Sequence, residues 1–140
     1  VIVIIFLVFN VVKKTKQFSK VKSTNSVNQS GNNLNSQENE GGNVTVTTEP
    51  KALNIGEKPA FKIEFNTHSI DLSFDVVKQS YLMDDQGNRF NNGIWDGSPP
   101  EGHHRSGTLT FNSPLKKTKY VDLVFENIAS VPQRKFRWEL

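Results

Sequence analysis

Runs in which apolar and polar residues alternate recur along the chain from Val44 onward, and each is closed by turn-forming residues. Val44 and Val46 alternate with Thr45 and Thr47, which predicts a strand that Pro50 ends. Leu53 to Pro59 reads as a turn. Phe61, Ile63 and Phe65 then alternate with Lys62, Glu64 and Asn66, the pattern of a half-buried strand. The same period of two puts Ile70, Leu72, Phe74 and Val76 on one face of a further strand. Tyr81-Leu-Met83 runs into a hairpin-type turn at Asp84 to Asn88, and Arg89-Phe90 returns from it. Leu109 with Phe111, then Val121, Leu123 and Phe125, then Phe136, Trp138 and Leu140 complete the series. No helical period extends over ten residues in this stretch.

Short strands at this spacing over Val44–Leu140 predict an all-β fold: an immunoglobulin-like antiparallel β-sandwich. Its expected core includes Phe61, Ile63, Phe65, Leu72, Phe74, Leu109, Phe111, Val121, Leu123, Phe125 and Trp138. The Cys–Trp–Cys hallmark of antibody domains is absent, because the chain has no cysteine.

The pattern upstream is different. Residues 1–12 hold one polar side chain, Asn10, and no charge. As a helix this run spans ~18 Å, short of the ~30 Å of a bilayer core. It reads as the C-terminal part of a transmembrane anchor whose start lies further upstream. A core strand fits less well, because lysines and a long polar stretch separate the run from any partner. No small-residue cleavage site follows it, which argues against a removed signal peptide. Residues 13–22 form a basic juxtamembrane tract with Lys13, Lys14, Lys16, Lys20 and Lys22. Residues 23–43, rich in Asn, Ser and Gln, read as a flexible disordered linker. The lysines alone would draw this end towards the cytoplasm. The spacer composition points the other way, towards a single-pass protein of the cell membrane with its domain outside the cytoplasm.

The net charge of +3 belongs to the basic tract. From Val44 on, 12 Lys and Arg balance 12 Asp and Glu. A nucleic-acid module would carry its basic footprint on the domain itself, so nucleic acid is not an expected partner.

All three histidines fall in two regions flanking the Phe61–Phe65 and Leu109–Phe111 strands. If those strands pair antiparallel, His68 lies near His103 and His104, and Asp71, Asp96 and Glu101 can approach the same place. Imidazole and carboxylate suit copper or zinc. Adjacent His103 and His104 in an extended segment point to opposite faces, so at most one of them faces such a cluster directly. The competing reading has no cofactor: the histidines pin an irregular loop, with Gly93, Gly97, Gly102 and Gly107 supplying backbone freedom. Asp71 and Asp75 read as a solvated stripe. Trp95 and Arg105 are the candidate binding residues of the second loop, where Trp95 otherwise caps the core. Ser98 lacks the glycine spacing of a nucleophile elbow, and no Gly-rich phosphate loop follows a strand.

Thr67-His-Ser-x-Asp-Leu72, Asp84-Asp-x-Gly87, and Trp95-x-Gly97 leading to Gly102-His-His-Arg-x-Gly-x-Leu-x-Phe111 resemble a recurrent pattern. It is similar to that of small exported or membrane-anchored prokaryotic domains of unknown function, over Val44 to Leu140. The resemblance implies an envelope location and brings no activity. The expectation is a non-enzymatic binding or structural module held at the membrane by its N-terminal helix. Its partner would be an envelope protein, a polysaccharide or a small ligand. The alternative is a copper- or zinc-binding domain.

Overall fold

The computed structural model describes residues 34–140 together with the backbone of Val21–Ser23. The apolar run 1–12, most of the basic tract and the first part of the polar stretch lie outside the described residues. Among the described residues no helix is long and apolar enough to cross a membrane, and every element is a strand.

Among the described residues ten strands follow one another: β1 (Val21–Ser23), β2 (Gln37–Gly41), β3 (Val44–Ala52), β4 (Ala60–Thr67), β5 (Ser80–Asp84), β6 (Arg89–Phe90), β7 (Gly93–Gly97), β8 (His104–Phe111), β9 (Tyr120–Ile128) and β10 (Val131–Glu139). They form two antiparallel sheets, ordered β1-β2-β3-β4-β8-β7 and β10-β9-β5-β6. The inward residues of both sheets merge into one buried cluster. Phe65 meets Phe125 edge-on at 5.6 Å between ring centroids, and Phe61 meets Trp138 at 5.2 Å, which joins the two sheets face to face. The result is a sandwich-like all-β fold. The expected core residues are buried in it, except Phe74, which is only partly covered.

Three local expectations are corrected. The alternation from Ile70 to Val77 buries Leu72 and Val76, but the segment is an irregular connection between β4 and β5 rather than a strand. Its carbonyls at Leu72 and Phe74 accept hydrogen bonds from the Arg105 guanidinium instead of from a neighbouring strand. Pro50 does not end β3; the strand continues to Ala52 with a shift of register between Pro50 and Ala52. Gly93–Gly97, read as loop, is an edge strand paired with β8.

The stretch read as a flexible linker contains β2. Gln37–Gly41 pairs along its length with β3. A two-residue turn, Gly42-Asn43, joins the strands, with both residues at positive φ as a type I′ hairpin requires. The inward side chain of β2 is Asn39, and it meets Arg134, which has 0% exposure. Arg134 faces inward from β10 beside Phe136 and Trp138. Its guanidinium donates to the carbonyls of Asn39, Gly41, Val44 and Ile128 and to Oδ1 of Asn39, at 2.7–3.3 Å. Burial pushes its pKa down, and among the described residues no carboxylate pairs with it. Upstream of β2, Asn35 accepts the Trp138 indole N–H at 2.8 Å, which extends the fold to that residue.

The outer face of the smaller sheet handles its charges differently. Asp122 has 0% side-chain exposure and lies under Arg137 and Lys135, bonded to Arg137 at 2.6 and 2.8 Å. That hydrogen-bonded pairing raises the Arg137 pKa above its usual value. Arg89 and Arg137 stack on Tyr81 and Tyr120, at 3.5 and 3.7 Å from the ring centroids.

A chain beginning at Val44 loses β2 and with it three of the five acceptors of Arg134. Unfolded in urea beside a chain beginning at Leu34, it should lose roughly 3 kcal/mol or more, because buried donors left without partners cost ~1–3 kcal/mol each. Coincident unfolding curves would show that β2 is not part of the folded unit.

Candidate functional site

The β2–β3 turn, the β4–β5 connection, the β7–β8 connection and the β9–β10 turn gather at one end of the sandwich, because antiparallel pairing brings the start of β3, the end of β4 and the start of β8 together. The expected pairing of the second histidine-flanked strand with the first is present: Phe61 faces Leu109 and Asn66 faces His104.

Hydrogen bonds cross this end in an unbroken series. Thr67 Oγ1 donates to the carbonyl of Asn43 at 2.7 Å and accepts from the backbone N–H groups of Ser69 and Ile70. The Thr67 N–H donates to the carbonyl of His103, and the Leu72 N–H to that of Gly102. Gly102, at φ +75°, donates its own N–H to Asp71 Oδ1 at 3.0 Å. Arg105, 3% exposed, donates through Nη1 to the carbonyls of Leu72 and Phe74 at 2.8 and 2.7 Å. Its Nη2 reaches the carbonyl of Ser98, which also accepts the Trp95 indole N–H at 3.0 Å. Burial pushes the Arg105 pKa down and nearby Asp75 partly offsets this. The Asp75 carboxyl is itself held below its usual pKa, chiefly by the backbone N–H of Lys78.

Trp95 lies inward on β7 and packs against the core beside Phe65. Gly97 and Gly107 face each other across β7 and β8 under its ring. A Cβ on either would stand 2.7 Å from the indole and 2.5–2.6 Å from backbone of the opposite strand. These glycines therefore serve close approach rather than turning, and of the four expected to give the second loop its freedom only Gly102 has positive φ.

A cavity of about 260 Å³ opens between the β4–β5 connection and β7, walled by Phe74, Trp95, Pro99 and Pro100, with Ser73, Asp75, Ser98 and Arg105 as its polar lining. Arg105 is thus a buried strut behind the cavity, and its Nε has no hydrogen-bond partner among the described residues.

The six metal-ligand candidates divide. His68 and His104 come together, with ring centroids 6.4 Å apart. His103 enters the network through its carbonyl and is exposed. Asp71 and Asp75 are both exposed, as the solvated reading expects, but on irregular chain rather than along a strand, and each also holds backbone: Asp71 Oδ1 accepts from Gly102 and Asp75 Oδ1 from Val77 and Lys78. Asp96 faces Thr108, four positions along β8 from His104, and Glu101 stands exposed in the β7–β8 connection. Among the described residues no group of three or more His, Asp or Glu side chains is placed to hold a metal ion.

Substituting Gly107→Ala in a Trp138→Phe background should displace the indole of Trp95. Its emission should shift to the red, and overpacking should cost about 1–3 kcal/mol. An unmoved emission maximum with unchanged stability would mean that the indole does not rest on the glycine pair. In comparison with known proteins, no family model, no curated protein and no solved structure matches the chain, so the chemistry of this end is read from its own geometry.

Proposed function

We propose that the chain is a single-pass, membrane-anchored module of the cell envelope whose β-sandwich lies outside the cytoplasm and binds a ligand in the cavity between Phe74 and Trp95. The apolar run 1–12 supports the anchor, and the polar residues between the basic tract and β2, as a spacer, support the placement of the domain outside against the inward pull of the lysines. The sequence resemblance to exported domains agrees with this location.

The strand order supports an immunoglobulin-like reading of the sandwich. The series β3-β4-β8-β7 facing β10-β9-β5-β6 corresponds to A-B-E-D facing G-F-C-C′, with β1 and β2 added at the A edge. By that correspondence the cavity lies among the B–C and D–E connections, on the end that antibody variable domains use for binding. This is an analogy of fold.

The observation that carries the binding reading is the cavity itself. Its walls are two aromatic rings and two prolines, with hydroxyl, carboxylate and guanidinium groups among them. Such a lining takes one ring-sized group, apolar on its faces and polar at its rim. A sugar residue has that character, so a polysaccharide is the envelope ligand the cavity fits best. The role is binding rather than catalysis, because the polar groups nearest the cavity are committed to holding backbone. Ser98 Oγ donates to the carbonyl of Ser106 and accepts its N–H, and Asp75 caps the turn at Val77 and Lys78.

Titration of the isotopically labelled chain with envelope polysaccharide fragments should shift the Trp95 indole N–H together with the amides of Ser73 to Val76 and Ser98. Phe74→Ala should weaken binding by about tenfold, the loss of ~1.4 kcal/mol expected for one aromatic contact. Shifts confined to other surfaces, or no shifts with any fragment, would remove the cavity from the account. Protease added to intact cells with a permeable outer layer should cleave the domain; full protection would overturn the placement outside the cytoplasm.

A further inference from the structure

The outer face of the larger sheet carries a polar row straight across four strands. Glu40 faces Thr45, Thr45 faces Asn66, and Asn66 faces His104. At the end of this row Nδ1 of His104 lies 2.9 Å from the side-chain oxygen of Asn66. An amide oxygen only accepts, so Nδ1 carries the hydrogen and Nε2 keeps its lone pair. An outer hydrogen bond of this kind fixes the tautomer of a metal-binding imidazole and raises its basicity.

His68, the first residue after β4, brings its ring to 6.4 Å from that of His104, at an interplanar angle of 82°. An imidazole nitrogen binds an ion such as Zn²⁺ at ~2.0–2.1 Å, which puts the ion roughly 3.2 Å from the ring centroid, so two rings sharing it stand about 5.2 Å apart at a tetrahedral angle and about 6.4 Å apart when trans. The observed 6.4 Å is the spacing of a trans pair, the placement that a square-planar or tetragonal ion such as Cu²⁺ offers. Both side chains are exposed, and His68 is free of the strand ladder. Beside His68 a concavity of about 250 Å³, walled also by Glu40, Asn43, Thr45 and Asn66, has room for several waters at ~30 Å³ each. Glu40 adds negative charge to its far wall.

We propose that His68 and His104 form a two-histidine site for a divalent first-row transition ion. Asn66 orients His104, water fills the remaining positions, and Cu²⁺ binds more tightly than Zn²⁺, as the Irving–Williams order gives for imidazole ligands. The site lies on the sheet face and does not depend on the Trp95 cavity. With two protein ligands the ion keeps open positions, so it can carry an exchangeable ligand of its own.

The test is calorimetric titration of the full 140-residue chain in detergent with Cu²⁺ and with Zn²⁺. Three histidines and no cysteine leave few competing donors. One Cu²⁺ should bind per chain. His68→Ala and His104→Ala should each abolish saturable binding, Asn66→Ala should weaken it by about 10- to 100-fold, and His103→Ala should leave it unchanged. Circular dichroism on each variant separates loss of a ligand from loss of the fold. Absence of binding by the natural chain, or binding that survives either His68→Ala or His104→Ala in a folded variant, would overturn the site. So would a loss with His103→Ala as large as theirs. Unchanged affinity in Asn66→Ala would remove its positioning role.

Discussion

A guanidinium ion taken out of water without a carboxylate has to direct its N–H groups at backbone carbonyls, and one end of this sandwich is shaped by that requirement twice. Arg134 on β10 and Arg105 on β8 both face inward at the end where the connections gather. A buried ion loses its solvation and regains it only through well-placed hydrogen bonds. Strand ladders already use one lone pair of each interior carbonyl, so most of the acceptors come from turns, strand ends and irregular chain, with mid-strand Asn39 the exception. Arg134 takes those of Asn39, Gly41, Val44 and Ile128, and Arg105 takes those of Leu72, Phe74 and Ser98.

The two arginines divide the work between them. Arg134 fastens the N-terminal strand β2 to the β9–β10 hairpin, where Gly42 fits against Ala129 so closely that a Cβ would lie 1.9 Å from its carbonyl oxygen. Arg105 fastens the β4–β5 connection to the β7–β8 connection and so fixes both walls of the Trp95 cavity. A segment without ladder hydrogen bonds is ordinarily the mobile part of a domain. Here it is held from beneath by a buried cation, from above by the core contacts of Leu72 and Val76, and at its start by Thr67. The ligand proposed for the cavity would meet walls already held in place, at little ordering cost.

The strands that were legible in the sequence are those with one apolar and one polar face, since burial of one face imposes the period of two. β4, β8 and β10 are of this kind, while β9 keeps the period in Val121, Leu123 and Phe125 although Asp122 and Val124 on its other face are buried too. The Ile70–Val77 alternation has the same period for another reason: its inward residues follow the core while its carbonyls answer Arg105. β2 escaped because its buried residue is Asn39, a polar partner for a polar ion, and β7 because its glycines look like loop. The signal for the arginines was present. Arg134 precedes Phe136 and Trp138, and Arg105 precedes Leu109 and Phe111, in steps of two along an inward face. Of the candidate site, the approach of His68 to His104 was legible from strand pairing. The separation of Asp96 was not, because it depends on β7 returning along β8 towards Thr108.

Native-state hydrogen exchange tests the role of the buried arginines most directly. Leu72 and Gly102 have amides in irregular chain, bonded to Gly102 O and Asp71, and Asn39 lies on a strand outside the apolar pattern. If the arginines hold this end, all three amides exchange only through global unfolding, at the rate of Phe65 and Phe125 in the central strands. Exchange of these amides through low-energy local opening, while Phe65 and Phe125 stay protected, would contradict the account.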